Sequence, residues 1–236
     1  MRTIDIKSDN EMFEELKRFP INIVDNFFKD PDAIVDFANK QRFERPWGRY
    51  PGVRSEQISK LDFKLYNYII NFTLGCMFNK AEWNFNSSMQ FQKIKPFHKD
   101  KDHWANKGFI HLDGNSLLAG LVYLNKNPDP DSGTSFFRVK KEKKHSFSYD
   151  TKFSLCRGEL DPDDAVEGLK HLYSNHEQTA EVKNVYNRLI FYDASNLHTQ
   201  TNYWMPNDEE RLTLVFFVDK LTINGIMPTE RFPREF

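Results

Sequence analysis

Phe109-Ile110-His111-Leu112-Asp113-Gly114-Asn115-Ser116-Leu117-Leu118-Ala119-Gly120-Leu121-Val122-Tyr123-Leu124 joins an alternating segment to a nearly continuous apolar run through a Gly-Asn turn signal. In an extended strand, side chains two apart share a face. The spacing therefore predicts that His111 and Asp113 project together, with Ile110 and Leu112 packed on the opposite face. Leu117 to Leu124 reads as a buried strand. Met89-Gln90-Phe91-Gln92, Thr134 to Val139, Arg188 to Asp193 and Leu212 to Val218 are further strand-like stretches bounded by turn residues. Many short strands with Gly, Pro, Asn and Asp turns favour an antiparallel sandwich or barrel over a βαβ sheet.

The chain before this region reads differently. After a short strand candidate, Ile21 to Val24, the run Asp30-Pro31-Asp32 opens a helix carrying Ala33 to Gln41. Arg45 to Gly52, with two prolines and two glycines, is a loop. Ile58, Leu61, Leu65, Tyr68, Ile69, Phe72 and Cys76 fall at helical spacing and predict one long amphipathic helix buttressing a sheet. The resulting expectation is a single α+β domain over residues 1–236, mainly β. A mostly helical buttress spans 1–80, a β core spans 82–220 and a tail spans 221–236. Residues 140–187 begin with Lys140-Lys141-Glu142-Lys143-Lys144 and read as an insertion between strands, a candidate lid, whose His145, His171 and His176 are expected on the surface.

At 236 residues the chain can bury a sizeable core, to which 22 phenylalanines contribute. Its formal net charge of −1 gives no reason to expect a nucleic acid or anionic membrane as partner. Two cysteines, Cys76 and Cys156, without CxxC spacing give no disulfide framework or zinc site. The start MRTIDIKSDNEMFEELK lacks an apolar h-region, and no run reaches transmembrane length, so a cytoplasmic protein is expected.

Two HxD pairs compete as metal ligands. His98-Lys99-Asp100 lies in a stretch charged throughout and reads as a solvated loop near the mouth of a pocket. His111/Asp113 has apolar flanks, and His198 follows a later strand through the short loop Ala194 to Leu197. Two imidazoles and one carboxylate form the facial arrangement of non-haem Fe(II) oxygenases, which keeps coordination positions open. Arg211 and Thr213 share a face of the strand that follows. A guanidinium pointing into an apolar barrel requires an anionic partner, which a carboxylate held by its fork supplies; the competing reading is a surface Arg211 paired with Glu209 or Glu210.

In this order the motifs resemble the 2-oxoglutarate and Fe(II)-dependent dioxygenase superfamily, its prolyl-4-hydroxylase-like branch in particular, over roughly residues 85–220. The resemblance rests on His111-Leu112-Asp113, the distal His198 and Arg211-Leu212-Thr213. It also rests on Gly120-Leu121-Val122-Tyr123-Leu124-Asn125, Asp131-Ser132-Gly133-Thr134-Ser135-Phe136-Phe137 and the strand Arg188 to Asp193. It implies a double-stranded β-helix (jelly-roll, cupin-like) core with the N-terminal helices packed on one sheet. It implies Fe(II) on His111, Asp113 and His198, and 2-oxoglutarate with its far carboxylate on Arg211, Thr213 and Tyr123. O2 would be consumed to hydroxylate a C–H bond of a small-molecule or peptide substrate, releasing succinate and CO2; His111, Asp113, His198 and Arg211 would be the catalytic set. The thirteen-residue step from His198 to Arg211 is longer than in many relatives, so the loop through Trp204-Met205-Pro206 is expected to bulge outward. Trp47 and Tyr50 of the 45–52 loop, with the insertion, are candidate substrate contacts. A non-catalytic jelly-roll binding module and a cupin-like metalloenzyme that uses no 2-oxoglutarate are the alternatives.

Overall fold

The computed structural model describes residues 21–44, 50–77, 79–145 and 149–226. Its strands are β1 (Asn22–Val24), β2 (Val53–Arg54), β3 (Asn79–Ile94), β4 (Leu118–Tyr123), β5 (Thr134–Val139), β6 (His176–Val182), β7 (Leu189–Asp193), β8 (Leu197–Gln200) and β9 (Arg211–Ile226). They form two antiparallel sheets, one in the order β1-β7-β4-β9-β3-β2 and one in the order β6-β5-β8. The chain crosses between the sheets repeatedly, as a jelly roll does, and the fold is α+β with mostly antiparallel strands.

β4 is buried along its whole length because the large sheet is covered on both sides. Leu118 and Val122 face outward, where they meet Met89, Phe91, Leu189, Phe191, Leu214 and Phe216 beneath the helices. Ala119, Leu121 and Tyr123 face inward with Ile190, Tyr192 and Val215, toward Phe136 of the small sheet. Period-2 alternation thus separates an outer core under the buttress from an inner face that forms the site.

The buttress begins with α1 (Pro31–Asn39), whose Asp30 carboxylate caps the Ala33 amide at 3.1 Å. The single helix expected from residue 58 to 76 is two: α2 (Ile58–Leu61) and α3 (Phe63–Met77). Asp62 is extended between them, and its carboxylate accepts from the amides of Lys64 and Leu65, both at 3.0 Å. The break changes the helical phase, so Leu65, Tyr66, Ile69, Ile70, Leu74 and Met77 are buried while Tyr68 is 48% exposed and Cys76 lies at the surface. Asp62→Ala should therefore lower stability by about 1 kcal/mol, the usual cost of a lost N-cap. A shift in the urea midpoint at unchanged slope would measure it; an unchanged midpoint would remove the capping role.

Several boundaries differ from expectation. β9 continues through residues assigned to a tail, because its outer half pairs with the start of β3. The expected insertion contains α4 (Tyr149–Arg157) and α5 (Val166–Ser174), but its last third is β6, paired along β5. His176 is buried there, its Nδ1 bonded to Leu172 O at 2.7 Å, rather than exposed. The 201–210 loop folds inward instead of outward: Tyr203 and Met205 are buried, and the Tyr203 amide donates to Asn106 O at 2.8 Å. Trp47 lies outside the described residues. Among the described residues no helix is long and apolar enough to cross a membrane.

Candidate metal centre

His111 and Asp113 do come together, though not on a regular strand. Phe109 to Asp113 makes one isolated bridge, His111 with His198, in which each amide donates to the other's carbonyl at 3.0 Å. The Asp113 amide donates to Ala194 O at 3.0 Å. The HxD segment is thus tied at both of its polar residues to the loop and strand that carry His198. Ile110 is fully buried among Phe137, Leu155, Leu169 and Leu197, which anchors the segment from behind.

The ligand atoms of His111, Asp113 and His198 lie within 4.8 Å of one another. His198 Nε2 is 3.2 Å from Asp113 Oδ2, and His111 Nε2 is 3.7 Å from Asp113 Oδ1. Both Nδ1 atoms face backbone carbonyls, that of His111 at 2.6 Å from Phe109 O and that of His198 at 2.8 Å from Asn196 O. A carbonyl only accepts, so each Nδ1 carries the proton and each Nε2 of a neutral ring presents a lone pair. Burial, then Lys152 and His198, drives the His111 pKa well below its ordinary value, which favours the neutral ring. Burial raises the Asp113 pKa, but the charge and hydrogen bond of His198 and the charge of His111 outweigh it, holding the carboxyl far below the usual range. Two imidazoles with one carboxylate converging on one point suit a divalent transition metal.

The centre opens into a cavity of about 510 Å³. Its lining includes Ala119, Leu121, Tyr192, Val215 and Phe217 of the large sheet, Tyr50 and Arg54 before it, and Tyr149, Lys152 and Phe153 of α4. Of the expected contacts Tyr50 is here, and α4 is the part of the insertion that reaches the site. Arg54, Lys152, Tyr192 and Tyr203 had no spacing signal in the sequence. Arg54 follows a loop made possible by Gly52, whose φ is +76° and where a Cβ would stand 2.0 Å from Lys93 O.

Arg211, Thr213 and Tyr123 are brought together but do not line the cavity. Arg211 is 1% exposed, which removes the surface pairing with Glu209 or Glu210. Its Nε donates to Ser132 O at 3.0 Å, its guanidinium carbon is 5.4 Å from the Tyr123 ring centroid, and Tyr123 Oη shares a 2.7 Å hydrogen bond with Thr134. Gly133 sets the turn that supplies Ser132, since a Cβ there would meet Val182 O at 2.1 Å. Arg211 Nη2 and Thr213 Oγ1 are buried with no hydrogen-bond partner among the described residues. An unsatisfied guanidinium N–H and an unsatisfied hydroxyl have the chemistry to hold a carboxylate. Tyr192 and Tyr203, which do line the cavity, lie near the Arg211 guanidinium. His98 and Asp100 remain in a polar loop where the His98 ring packs on His103 at 4.1 Å, apart from the centre.

One family model spans residues 12–218 of the sequence. The chain belongs to DUF6445, a family of unknown function. No curated protein matches it. Among solved structures, DUF6445 as represented by this chain is similar to a 2OG-Fe(II) oxygenase family oxidoreductase from Burkholderia pseudomallei, at 11% identity over 89% of this chain and 87% of that one, with a TM-score of 0.46. It is also similar to a prolyl-4-hydroxylase from Pseudomonas putida, at 11% identity over 85% and 92%, with a TM-score of 0.38. A third is HygX from Streptomyces hygroscopicus with iron bound, at 12% identity over 85% and 82%, with a TM-score of 0.46. These likenesses are too distant to transfer a reaction, and the functional reading rests on the residues of this chain.

Proposed function

We propose that this chain is an Fe(II)- and 2-oxoglutarate-dependent oxygenase of the hydroxylase type. The observation that carries the reading is the convergence of two imidazoles and one carboxylate on a cavity wall, with both Nδ1 atoms locked to backbone carbonyls. His111 and His198 would hold the metal through Nε2, and Asp113 would supply the negative charge. Three protein ligands leave coordination positions for small molecules. Bound Fe(II) and 2-oxoglutarate together supply the oxidising chemistry that turns O2 into a C–H hydroxylation with release of succinate and CO2.

The protein's part is to bind, orient and exclude. Arg211 and Thr213, with a fork N–H and a hydroxyl left unsatisfied, would take the far carboxylate, and Tyr123 would fix the guanidinium. Arg211 and Thr213 do not line the cavity, so reaching them requires side chains of its wall to move, a rotamer change of a kind common on binding. Phe136, edge-on to Tyr192 at 4.9 Å, and Leu121 keep the inner wall apolar, which limits water near the reacting centre.

Anaerobic addition of Fe(II) and then 2-oxoglutarate tests the reading. The expected result is metal uptake followed by the weak visible charge-transfer band of the chelate. Failure to take up metal would leave a jelly-roll binding module. Uptake without a 2-oxoglutarate response would favour a metalloenzyme of cupin type, an outcome consistent with Arg211 standing behind the cavity wall.

A further inference from the structure

We propose that Asp193 is a positioning residue of the metal centre: its carboxylate shapes the turn over residues 193–196, and two carbonyls of that turn hold Asp113 and His198 in place. The proposal rests on the metal reading above for its function, whereas the part Asp193 plays in orienting the His198 ring does not need the metal.

Asp193 ends β7 and is 3% exposed. Desolvating a carboxylate at the end of a core strand is costly, so such a group persists where it is hydrogen-bonded. Asp193 Oδ1 accepts from the Ser195 amide at 3.0 Å and from the Ser195 hydroxyl at 2.7 Å. The Asn196 amide closes the turn on Asp193 O at 2.9 Å. The segment Asp193-Ala194-Ser195-Asn196 contains neither glycine nor proline and no residue with a positive φ. Its dihedrals are therefore not dictated by the covalent chain. An aspartate carboxylate bonded to the amide two residues on is itself a turn-forming device.

The carbonyls of this turn reach two of the three ligands. Ala194 O accepts from the Asp113 amide at 3.0 Å, and Asn196 O lies 2.8 Å from His198 Nδ1. The Ala194 amide is anchored in turn on Leu117 O at 3.1 Å. One turn thus holds the backbone of one ligand and the ring of another. His111 has no such dependence, because its Nδ1 bonds Phe109 O on its own segment, which Ile110 anchors by packing. A histidine ligand is oriented, and its tautomer fixed, by the bond its second nitrogen makes. Without the two bonds from Ser195 the turn relaxes, Asn196 O leaves its place and the His198 ring takes up both tautomers. Asp193 does not line the cavity, so it acts through Ala194 and Asn196 and not on a ligand of the metal.

Two variants separate this role from others: Asp193→Ala removes the acceptor, and Asp193→Asn keeps Oδ1 while removing the charge. Long-range nitrogen–proton correlation spectra of the metal-free protein, taken well above the ordinary imidazole pKa, read the ring tautomers. Wild type and Asp193→Asn should both show His198 protonated on Nδ1, and Asp193→Ala should show a mixture. His111 should stay protonated on Nδ1 throughout, which certifies the fold. Mn(II) titration followed by electron paramagnetic resonance should give an affinity about tenfold weaker in Asp193→Ala, as loss of an outer-shell partner does, and restored in Asp193→Asn. Ser195→Ala, a milder change that removes the hydroxyl bond alone, should move both readouts the same way, which keeps the proposal testable if Asp193→Ala does not fold. A residue that merely stabilises the turn would lower the melting temperature and leave the His198 tautomer and Mn(II) affinity unchanged, and that result would overturn the proposal. So would an Asp193→Asn variant as impaired as Asp193→Ala, which would assign the effect to charge. If wild type binds no Mn(II), the metal reading fails, and the tautomer comparison alone decides whether Asp193 orients the ring.

Discussion

Replacing Arg211 by methionine should weaken 2-oxoglutarate binding by at least about 30-fold while leaving metal affinity within about twofold of wild type. A buried guanidinium paired with a carboxylate contributes on the order of 2–5 kcal/mol when one partner is removed, which is roughly 30-fold to several thousandfold. The same substitution should change the ligand-free melting temperature little, because two effects oppose. It leaves Ser132 O without the Arg211 Nε donor, a cost of about 1–3 kcal/mol. It also removes a buried cation with an unsatisfied N–H, which apolar side chains of similar volume often replace at no loss. Calorimetry with 2-oxoglutarate on the Mn(II)-loaded variant, together with a melting curve, measures both. Retained 2-oxoglutarate affinity would show that Arg211 is a structural cation of the inner wall and that the cosubstrate carboxylate is held elsewhere.

The second large effect is expected at the metal. His198→Ala and Asp113→Ala should each reduce metal affinity by more than the roughly 10- to 100-fold that losing an outer-shell partner costs, and 2-oxoglutarate-dependent succinate release should fall to background. Asp113→Ala differs from His198→Ala in a way that tests the electrostatics. Asp113 is the one acidic side chain among the described residues that line the cavity, and Arg54 and Lys152 lie near it, so excess chloride or formate should bind in its place and rescue some metal affinity. His198→Ala should show no such rescue, since it removes a neutral ligand and the reciprocal ring contact with His111 at 4.6 Å between centroids. Undiminished succinate release in either variant would reject the ligand assignment.

Three strands of the two sheets were legible because each announced its period. Leu118 to Tyr123, Thr134 to Val139 and Leu212 to Val218 lie where alternation and apolar runs put them. The metal ligands were legible for a weaker reason than the one that holds. Strand geometry was expected to align His111 with Asp113, whereas the structure aligns them through one bridge to His198 and one backbone hydrogen bond to Ala194. What misled was local. Asp62 reads as one more polar residue within a helical stripe, yet as a cap it ends one helix and starts another. β6 is polar because one face is exposed, so its pairing with β5 left little apolar pattern to read. The inward turn of Tyr203 and Met205 depends on Asn106, almost a hundred residues earlier. Arg54 and Lys152, likewise, meet only through the tertiary fold, and no spacing along the chain could pair them.

The most direct test of the central claim is a crystal structure grown anaerobically with Fe(II) and 2-oxoglutarate. The predicted result is one iron bonded to His111 Nε2, Asp113 and His198 Nε2, with 2-oxoglutarate chelating it and its far carboxylate on Arg211 and Thr213, side chains of the cavity wall having moved aside. Iron bound away from these three residues, or 2-oxoglutarate lying with its far carboxylate on Arg54 and Lys152, would contradict the account.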